Sequence, residues 1–579
     1  MTTEPQPSTT STASTLYRGG VVVGSVDPRA TAMVVADGTI AWIGPEESAA
    51  RHADSVDAVV DLDGALVTPT FVDAHVHTSA TGMHLRSVDL GDVHSVREAL
   101  SRIEDAARKR QGRPVYAPGW DEGHWPEHRP HTGRELDRAT YGGVVYSPRV
   151  DGHSAVISSA LAAASGARDL PGWNDSGVVT REAHHAARDV FREGVTAADR
   201  RADIDAALSA AAAAGIGLMH ENAGPHLSSV DDLADVLAAG DRDDGPDVVG
   251  YWAELVADEA QARELAARHG VRGLAGDLNM DGSIGSRTAF LREPYFDASD
   301  PYNAHLSNAD HPHSNHPHSN HDGTRCGNAY LNVEQVRDHV AACSLAGIQA
   351  GFHVIGDAGA DTVVEGMRAA AVLVGAACVV AARHRLEHLE MVGAAGIRAL
   401  VELGVTASVQ PAFDAFWGGP EGMYAARLGR DRVPGMNPFG AMSAAGMPLA
   451  FGSDSPVTPF APWEAIRAAV FHHDPAQRIS ARSAFQAHTR GGWRAAGIDD
   501  GGYLDVGQPA SFAVWSLAGD STSGTPGTSG TRGNSGAPGA PGALDTSALP
   551  DLTPGATLPM NLRTVIRGRT VFNREGALT

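Results

Sequence analysis

The stretch ALVTPTFVDAHVH, residues 65–77, determines how the rest of the chain is interpreted. It is an apolar, β-rich run that ends in two histidines, His75 and His77, separated by a single residue. Such a run predicts a buried strand, and residues two apart on a strand point to the same face. Two imidazoles on one face can chelate one metal ion, although an HxH pair also occurs on ordinary loops.

Seven further apolar runs follow at intervals, many of them opened by a glycine and closed by polar residues. Helical stretches rich in alanine and arginine separate them, and this alternation predicts a (β/α)8 TIM-like barrel. The long gap after the first run predicts an insertion at about 79–214. The runs are GIGLMHEN (215–222), VVGYWAEL (248–255), GLAGDLNMDG (273–282), GIQAGFHVIGD (347–357), RHRLEHLEM (383–391), GVTASVQPAF (404–413) and GMPLAFGSDSPV (446–457).

Both ends of the chain have a different, β-rich pattern. Residues 16–68 and 505–579 contain short strand candidates, among them a hairpin signal at Asp37-Gly38. We therefore expect one small β-sandwich domain built from both chain ends, with the barrel at 69–504. Residues 1–15 are expected to form a disordered tail, and the Gly/Ser/Thr/Pro-rich residues 519–557 a flexible loop.

Composition excludes several classes of function. The 579 residues are 42% hydrophobic and 20% charged, as in a soluble globular protein, and the formal net charge is −24. This acidity argues against nucleic-acid and anionic-membrane partners and leaves a small-molecule substrate. The three cysteines lack zinc-type spacing, and neither a signal peptide nor a membrane span is predicted, so we expect a cytoplasmic protein.

Most of the strand candidates end in residues that can bind metal or move protons. In a barrel these ends meet at one mouth, where active sites are built. His353 and His388 lie 35 residues apart, close to one βα unit, and Asp454 follows about two units later. Histidine with carboxylate suits zinc, with manganese, iron and nickel left open. The strand-end residues are His75, His77, His220, Asp277, Asp281, His353, His388 and Asp454.

These motifs together resemble the metal-dependent amidohydrolase superfamily, and within it the amidohydrolase-3 group that includes N-substituted formamide deformylases. The resemblance covers nearly the whole chain. It is carried by TPTFVDAHVHTSATG, GWDEGHW, RVDGHSAVISS, DGSIGSRTAFL, GFHVIGDAGAD, RLEHLEM, ASVQP, FGSDSPVTP, GYLDVGQPASFAVW and LRTVIRGRTVF.

The resemblance implies a role for each matching residue. His75 and His77 would bind a first metal, and His353 and His388 would bind or face a second. Asp454 would ligate the first metal and take the proton from an attacking water. The implied centre holds one or two divalent ions, zinc foremost, and hydrolyses an amide or N-formyl C–N bond. A homodimer is compatible with the resemblance.

Three other functions stay open at this point. The same barrel supports deamination of a cyclic imine or amidine, which would release ammonia. A binding protein that had lost catalysis is a second alternative, although its ligands would be expected to erode. Metal buffering through ADHPHSNHPHSNHDG, residues 309–323, is a third, but this low-complexity repeat lacks a scaffold that fixes ligand geometry.

The fourth strand departs from the pattern of the group. Many binuclear relatives bridge their metals with a carboxylated lysine, and here Asp277 stands where that lysine is expected. The only lysine in the sequence is Lys109, inside the predicted insertion. We therefore expect Asp277 to be a shorter carboxylate bridge, or the site to be mononuclear.

Several polar residues in and after the insertion are candidate substrate contacts. Trp120 and His153 are predicted to bind substrate, with a structural contact to the barrel as the alternative. Asp281 is predicted to bind substrate or to pair with Arg287. His220 is expected to support the site rather than to ligate metal. Asp121, Glu122 and Asp151 are further members of the insertion motifs.

Overall fold

Eight parallel strands, in sequence order, form the sheet that organises the described part of the chain. The computed structural model describes residues 14–122, 125–149, 154–225, 227–285, 287–299, 325–517 and 549–578. Each strand corresponds to one predicted run, so the predicted (β/α)8 barrel is confirmed. The strands are β1 Phe71–Val76, β2 Ile216–Ala223, β3 Asp247–Trp252, β4 Gly273–Leu274, β5 Gln349–Val354, β6 Arg385–His388, β7 Thr406–Val409 and β8 Leu449–Phe451.

The sheet closes on itself where β8 meets β1. The backbone N–H of Asp454 donates to the carbonyl of His75 at 2.8 Å, and Val76 bridges Ser455 in parallel. One carboxylate oxygen of Asp73 accepts from the backbone N–H of Ser453 at 2.9 Å, across 380 residues of sequence. Closure therefore joins the end of the first strand to the loop after the last.

Helices alternate with these strands. A capping box at Asn332 begins the helix Val333–Ala346, and Gly347 ends it with φ 72°, which a glycine adopts without strain. The helices of this barrel region are Ala197–Ala213, Val230–Gly240, Glu259–His269, Val333–Ala346, Asp357–Val374, Ala376–Ala382, Ala394–Glu402, Pro411–Trp417, Met423–Leu428, Phe439–Ala444, Pro462–Val470, Ala481–Ala487 and Arg490–Ala495.

No single helix among the described residues is both long and apolar enough to cross a bilayer. One pair, Asp357–Val374 with Ala376–Ala382, meets that test of length and composition only when the two are counted together, and it is bent by 117°.

The β domain combines both ends of the chain, as predicted. Leu66–Pro69 pairs antiparallel with Phe512–Ser516, and the ring of Tyr17 packs edge-on against Phe512 at 5.0 Å. Asp37 and Gly38, both with positive φ, turn the predicted hairpin. One sheet contains Thr39–Gly44, Ala32–Ala36, Thr15–Arg18 and Ala58–Asp61; the other contains Val21–Val22, Leu66–Pro69, Phe512–Ser516, Met560–Ile566 and Arg569–Asn573. The helix Glu46–Ala53 completes this domain.

The chain divides into two compact units. Unit 1 contains residues 1–76, 208–280 and 331–579, and thus the barrel strands and the β domain; unit 2 contains 77–207 and 281–330. Unit 2 has its own sheet and its own apolar core around Trp120, Trp125 and Leu136. Its elements are the strands Val115–Tyr116, Val145–Pro148, Ser154–Ile157 and Val178–Thr180 and the helices Thr78–Leu85, Val96–Arg110, Gly133–Ala139, Ser159–Ser165 and Arg181–Glu193.

Closure at β8 depends on the missing side chain of Gly452. A Cβ at this position would stand 2.5 Å from the backbone nitrogen of His75 and 2.9 Å from its Cβ. We predict that Gly452→Ala lowers the free energy of unfolding by about 1–3 kcal/mol, because the strands must separate to admit a methyl group. Denaturant unfolding of the purified protein measures this loss.

Gly245→Ala is the matched control for this substitution. A Cβ on Gly245 meets its nearest neighbours at 3.6 and 3.7 Å, both on Leu208, which is ordinary van der Waals contact. Equal unfolding free energies for the two variants would contradict the account of closure.

Candidate metal centre

One oxygen of Asp277 lies at the centre of a cluster of imidazoles inside unit 1. Its Oδ1 is 3.4 Å from His75 Nε2 and 3.4 Å from His353 Nδ1. His388 Nε2 is 3.8 Å from the same oxygen. A carboxylate that faces three imidazole nitrogens at these distances occupies the position expected of a shared ligand.

Asp277 is held there by backbone pairing beyond the short strand β4. The N–H of His353 donates to the carbonyl of Leu278 at 3.1 Å, and the N–H of Met280 donates to the carbonyl of His353 at 2.9 Å. The segment after β4 therefore runs alongside β5. This pairing sets Asp277 beside the end of β5, where His353 stands.

The orientation of His75 is determined from behind by a buried carboxylate. Its Nδ1 is 2.9 Å from Glu387 Oε2, and both side chains are fully buried. A carboxylate only accepts, so Nδ1 carries the proton. Its Nε2 therefore faces Asp277 and Asp454.

His388 reaches the cluster through an unusual backbone conformation. Regular alternation along β6 would place His388 on the opposite face from Glu387, but φ is 70° at His388 and 48° at Leu389. The Nδ1–H of His388 donates to the amide oxygen of Gln410 at 2.8 Å, which leaves Nε2 facing Asp277. Left-handed backbone at such a residue costs roughly 1–3 kcal/mol and concentrates at functional sites.

Asp454 joins the cluster from the loop after β8, with φ of 57°. Its Oδ1 is 3.5 Å from His75 Nε2. About 11% of its side chain is exposed, compared with none of the His75 side chain. Asp454 therefore borders the ligand cluster and is also reached by solvent.

The electrostatic field of the cluster favours a cation. Burial alone would lower the pKa of His75, but the charges of Asp277 and Asp454 raise it to about 10. Burial would raise the pKa of Asp277, but the charge of His75 and hydrogen bonds from the facing imidazoles hold it well below its usual range. Burial and the neighbouring His353 lower the pKa of His388.

These donors fit a divalent metal ion. Ligand atoms of His75, His388 and Asp454 lie within 4.8 Å of one another, as do those of Asp277, His353 and His388. Neutral imidazole and carboxylate are the ligands that zinc and similar ions take in hydrolases. His77 follows at the position that caps the helix Thr78–Leu85, and its predicted role as a ligand stays a prediction.

His220, also at a strand end, is hydrogen-bonded to a buried arginine and is not one of the cluster histidines. Its Nδ1 accepts from the guanidinium of Arg385 at 2.8 Å, so the remaining proton is on Nε2. Burial and the charge of Arg385 lower its pKa well below the ordinary value, which keeps the ring neutral. This ring offers no lone pair to a metal ion, in agreement with its expected supporting role.

Trp120, one of the predicted substrate contacts, lies in unit 2. Trp120 is buried and donates its indole N–H to the carbonyl of Ser147 at 2.9 Å, a contact within unit 2. Asp121 and Glu122 pair with Arg149. The substrate role of Trp120 stays a prediction, and the candidates Asp151 and His153 and the tract 309–323 lie outside the described residues.

Asp281, also in unit 2, is buried and accepts from the backbone N–H of Phe290 at 2.8 Å. Arg287 forms a two-bond pair with Asp297. The predicted contact of Asp281 with substrate stays a prediction.

Sequence reasoning did not find Arg385, Glu387 or Gln410. The signal for the first two was in RLEHLEM, since Arg385 and Glu387 are two apart on a strand and therefore share one face. Gln410 ends the strand after the one that carries His388, in ASVQP. Glu387 contacts His75, Gln410 contacts His388, and Arg385 contacts Glu387.

The chain matches the model of the amidohydrolase family (Amidohydro_3) over residues 58–572. Protein LONG AFTER FAR-RED 3 of Arabidopsis thaliana is 24% identical over 528 residues, 84% of each chain. The putative amidohydrolase YtcJ of Bacillus subtilis (strain 168) is 25% identical over 481 residues, 79% of this chain and 83% of the relative.

Among solved structures, an uncharacterized metal-dependent hydrolase from Pyrococcus furiosus matches with a TM-score of 0.68 and 24% identity. The match covers 86% of this chain and 98% of that one, and it shows the shared fold. The family match over most of the sequence places the chain in the amidohydrolase family. With the cluster of histidine and aspartate, this makes the protein a metal-dependent hydrolase that uses a divalent ion.

The central position of Asp277 predicts its effect on metal binding. We expect Asp277→Ala to weaken metal affinity by at least about tenfold, because even residues that only orient ligands typically contribute that much. Metal content per chain after gel filtration, measured by plasma mass spectrometry, checks this.

Asp499→Ala is the control, since this carboxylate is exposed and pairs with Arg383 at the surface. Equal metal content in the wild type and Asp277→Ala would show that Asp277 is not a ligand.

Proposed function

We propose that the protein hydrolyses the C–N bond of an amide or N-formyl small molecule at a centre that binds two zinc ions. The observation that carries this proposal is the convergence of three imidazoles on Asp277 Oδ1, with a second carboxylate, Asp454, 3.5 Å from His75 Nε2. In the proposal Asp277 takes the place of the bridging carboxylated lysine of many relatives. His75, His77 and Asp454 would hold the first ion, and His353 and His388 would hold the second.

Asp454 is proposed to move the proton. Its carboxylate borders the cluster, is partly open to solvent and is held in place by the hydrogen bond from its backbone N–H to His75. It takes a proton from the attacking water as the new C–O bond forms, and delivers it to the nitrogen as the C–N bond breaks. The products are a carboxylic acid, which is formic acid from an N-formyl substrate, and an amine.

The bound ions supply Lewis acidity, which polarises the substrate carbonyl and makes water a better nucleophile near neutral pH. The protein holds the ligand side chains in a fixed orientation. His75 and His388 each donate from Nδ1 to a neighbouring oxygen, so that each Nε2 already faces Asp277 and would bind a metal ion there without reorientation. Such preorganisation is an established source of rate enhancement.

Two lines of support favour an amide or N-formyl substrate. The motifs RLEHLEM, GFHVIGDAGAD and FGSDSPVTP are similar to those of the amidohydrolase-3 group, which includes N-substituted formamide deformylases. The relative from Bacillus subtilis is itself described as a putative amidohydrolase. Zinc is proposed because the donor set is imidazole with carboxylate.

A substrate screen on metal-defined protein tests the function. The protein is stripped with a chelator, reloaded with zinc and assayed for amine release from a panel of N-acyl and N-formyl amines. We expect zinc-dependent turnover of at least one member, and loss of turnover by about 10²–10⁴-fold in Asp454→Asn, which removes the proton acceptor. His388→Ala is expected to abolish turnover as well.

Asp499→Asn is the matched control for the loss of one carboxylate, because Asp499 is exposed and contacts Arg383. Substantial residual turnover in His388→Ala or Asp454→Asn would overturn the assignment of the site. Bound zinc without turnover of any amide, together with ammonia release from cyclic imines or amidines, would replace the proposal with a deaminase.

A further inference from the structure

A fully buried arginine, Arg385, lies on β6 among the strands that carry the cluster. Arg385 has no exposed surface. Its guanidinium donates to both oxygens of Glu387, from Nε to Oε1 at 2.6 Å and from NH2 to Oε2 at 3.0 Å. Two-bond pairs of this kind are the strongest and most directional contacts between arginine and carboxylate.

The same guanidinium also contacts four other strands. It donates to the carbonyl of Ala74 on β1 at 2.5 Å, to His220 on β2 at 2.8 Å and to the Ser408 hydroxyl on β7 at 3.0 Å. Its carbon lies 4.4 Å from the ring centre of Tyr251 on β3. Arg385 therefore links β6 to a large part of the barrel wall.

The charge of Arg385 determines the state of Glu387. Both oxygens of Glu387 accept from the permanently charged guanidinium, at 2.6 and 3.0 Å, and an acid held in such a two-bond pair is a carboxylate. As a carboxylate it can only accept from His75 Nδ1. The proton of the neutral imidazole is thereby confined to Nδ1.

We propose that Arg385 and Glu387 are positioning residues that set His75 in the tautomer able to bind metal through Nε2. The inference rests on the proposed metal-dependent function and extends it to the residues behind the ligands. The chain of contacts is Arg385 to Glu387 to His75, each within hydrogen-bond distance and each fully buried. Partners of this kind fix ring orientation and raise ligand basicity.

Arg385 also gives two strand-end histidines different positions of the ring proton, although the sequence alone does not distinguish them. His75 has its Nδ1 on Glu387 and directs Nε2 towards the cluster, whereas His220 receives the guanidinium on Nδ1 and keeps its proton on Nε2. One guanidinium thus makes one strand-end histidine a metal ligand and the other a hydrogen-bond donor.

Glu387→Gln tests the proposal with little change of shape. The amide has a single acceptor oxygen. When that oxygen accepts from Arg385 Nε, the NH₂ takes the place of Oε2 and faces His75 Nδ1, which moves the imidazole proton to Nε2. We expect the zinc dissociation constant, measured by competition with a chromophoric chelator, to rise by about 10–100-fold. The measurement needs no substrate, so failure of this inference is distinguishable from failure of the hydrolase proposal.

Glu135→Gln is the matched control, since Glu135 also forms a two-bond pair with an arginine, Arg129, and caps a helix in unit 2. It is expected to lower stability without changing the zinc dissociation constant. Wild-type zinc affinity in folded Glu387→Gln, with only its thermal stability lowered, would show a merely structural role and overturn the proposal.

Arg385→Lys is the second variant, and it decides the question if Glu387→Gln does not fold. Lysine keeps the charge but cannot form the planar two-bond grip on Glu387. We expect zinc affinity to fall by about tenfold or more in this variant. Unchanged affinity in folded Arg385→Lys would likewise overturn the proposal.

Discussion

Closure of the parallel sheet between β8 and β1 is the constraint on which the metal centre depends. His75 stands at the end of the first strand and Asp454 just after the last, and a backbone hydrogen bond joins them. Without closure these two side chains would lie at opposite edges of an open sheet. The absence of a side chain at Gly452 permits this approach, because a Cβ there would overlap the backbone of His75.

The centre concentrates both charge and strain. Two aspartates face His75 and raise its pKa. The same negative charges would stabilise a bound divalent cation. His388 and Asp454 both have left-handed backbone, each at a cost of roughly 1–3 kcal/mol. Behind them, the fully buried pair of Arg385 and Glu387 gives the ligands a rigid support. The surrounding barrel must contribute the stability that offsets these costs.

Much of the architecture could be predicted because strand patterns and strand ends are local signals. The eight apolar runs became the eight strands, and Asp277 was singled out because an aspartate replaces an expected lysine. The supporting residues were harder, since Arg385 contacts partners on β1, β2 and β7 that only the closed barrel brings together. Alternation failed at His388, where positive φ turns a side chain that a regular strand would direct away.

In the insertion, too, contacts that form only in the folded chain could not be predicted from the sequence. Residues 79–214 were expected to form one inserted segment, but unit 2 also takes in residues 281–330, and contacts between distant segments leave no sequence pattern. Burial of Trp120 in the core of unit 2 is equally invisible in GWDEGHW, because an aromatic residue beside carboxylates is compatible with either a pocket or a core.

The most direct test of the central claim is an anomalous-scattering map from crystals of the zinc-loaded protein. The account predicts two peaks per chain, both within bonding distance of the Asp277 carboxylate, one beside His75 and the other beside His353 and His388. A single peak, or two peaks that leave Asp277 uncoordinated, would contradict the shared-carboxylate centre.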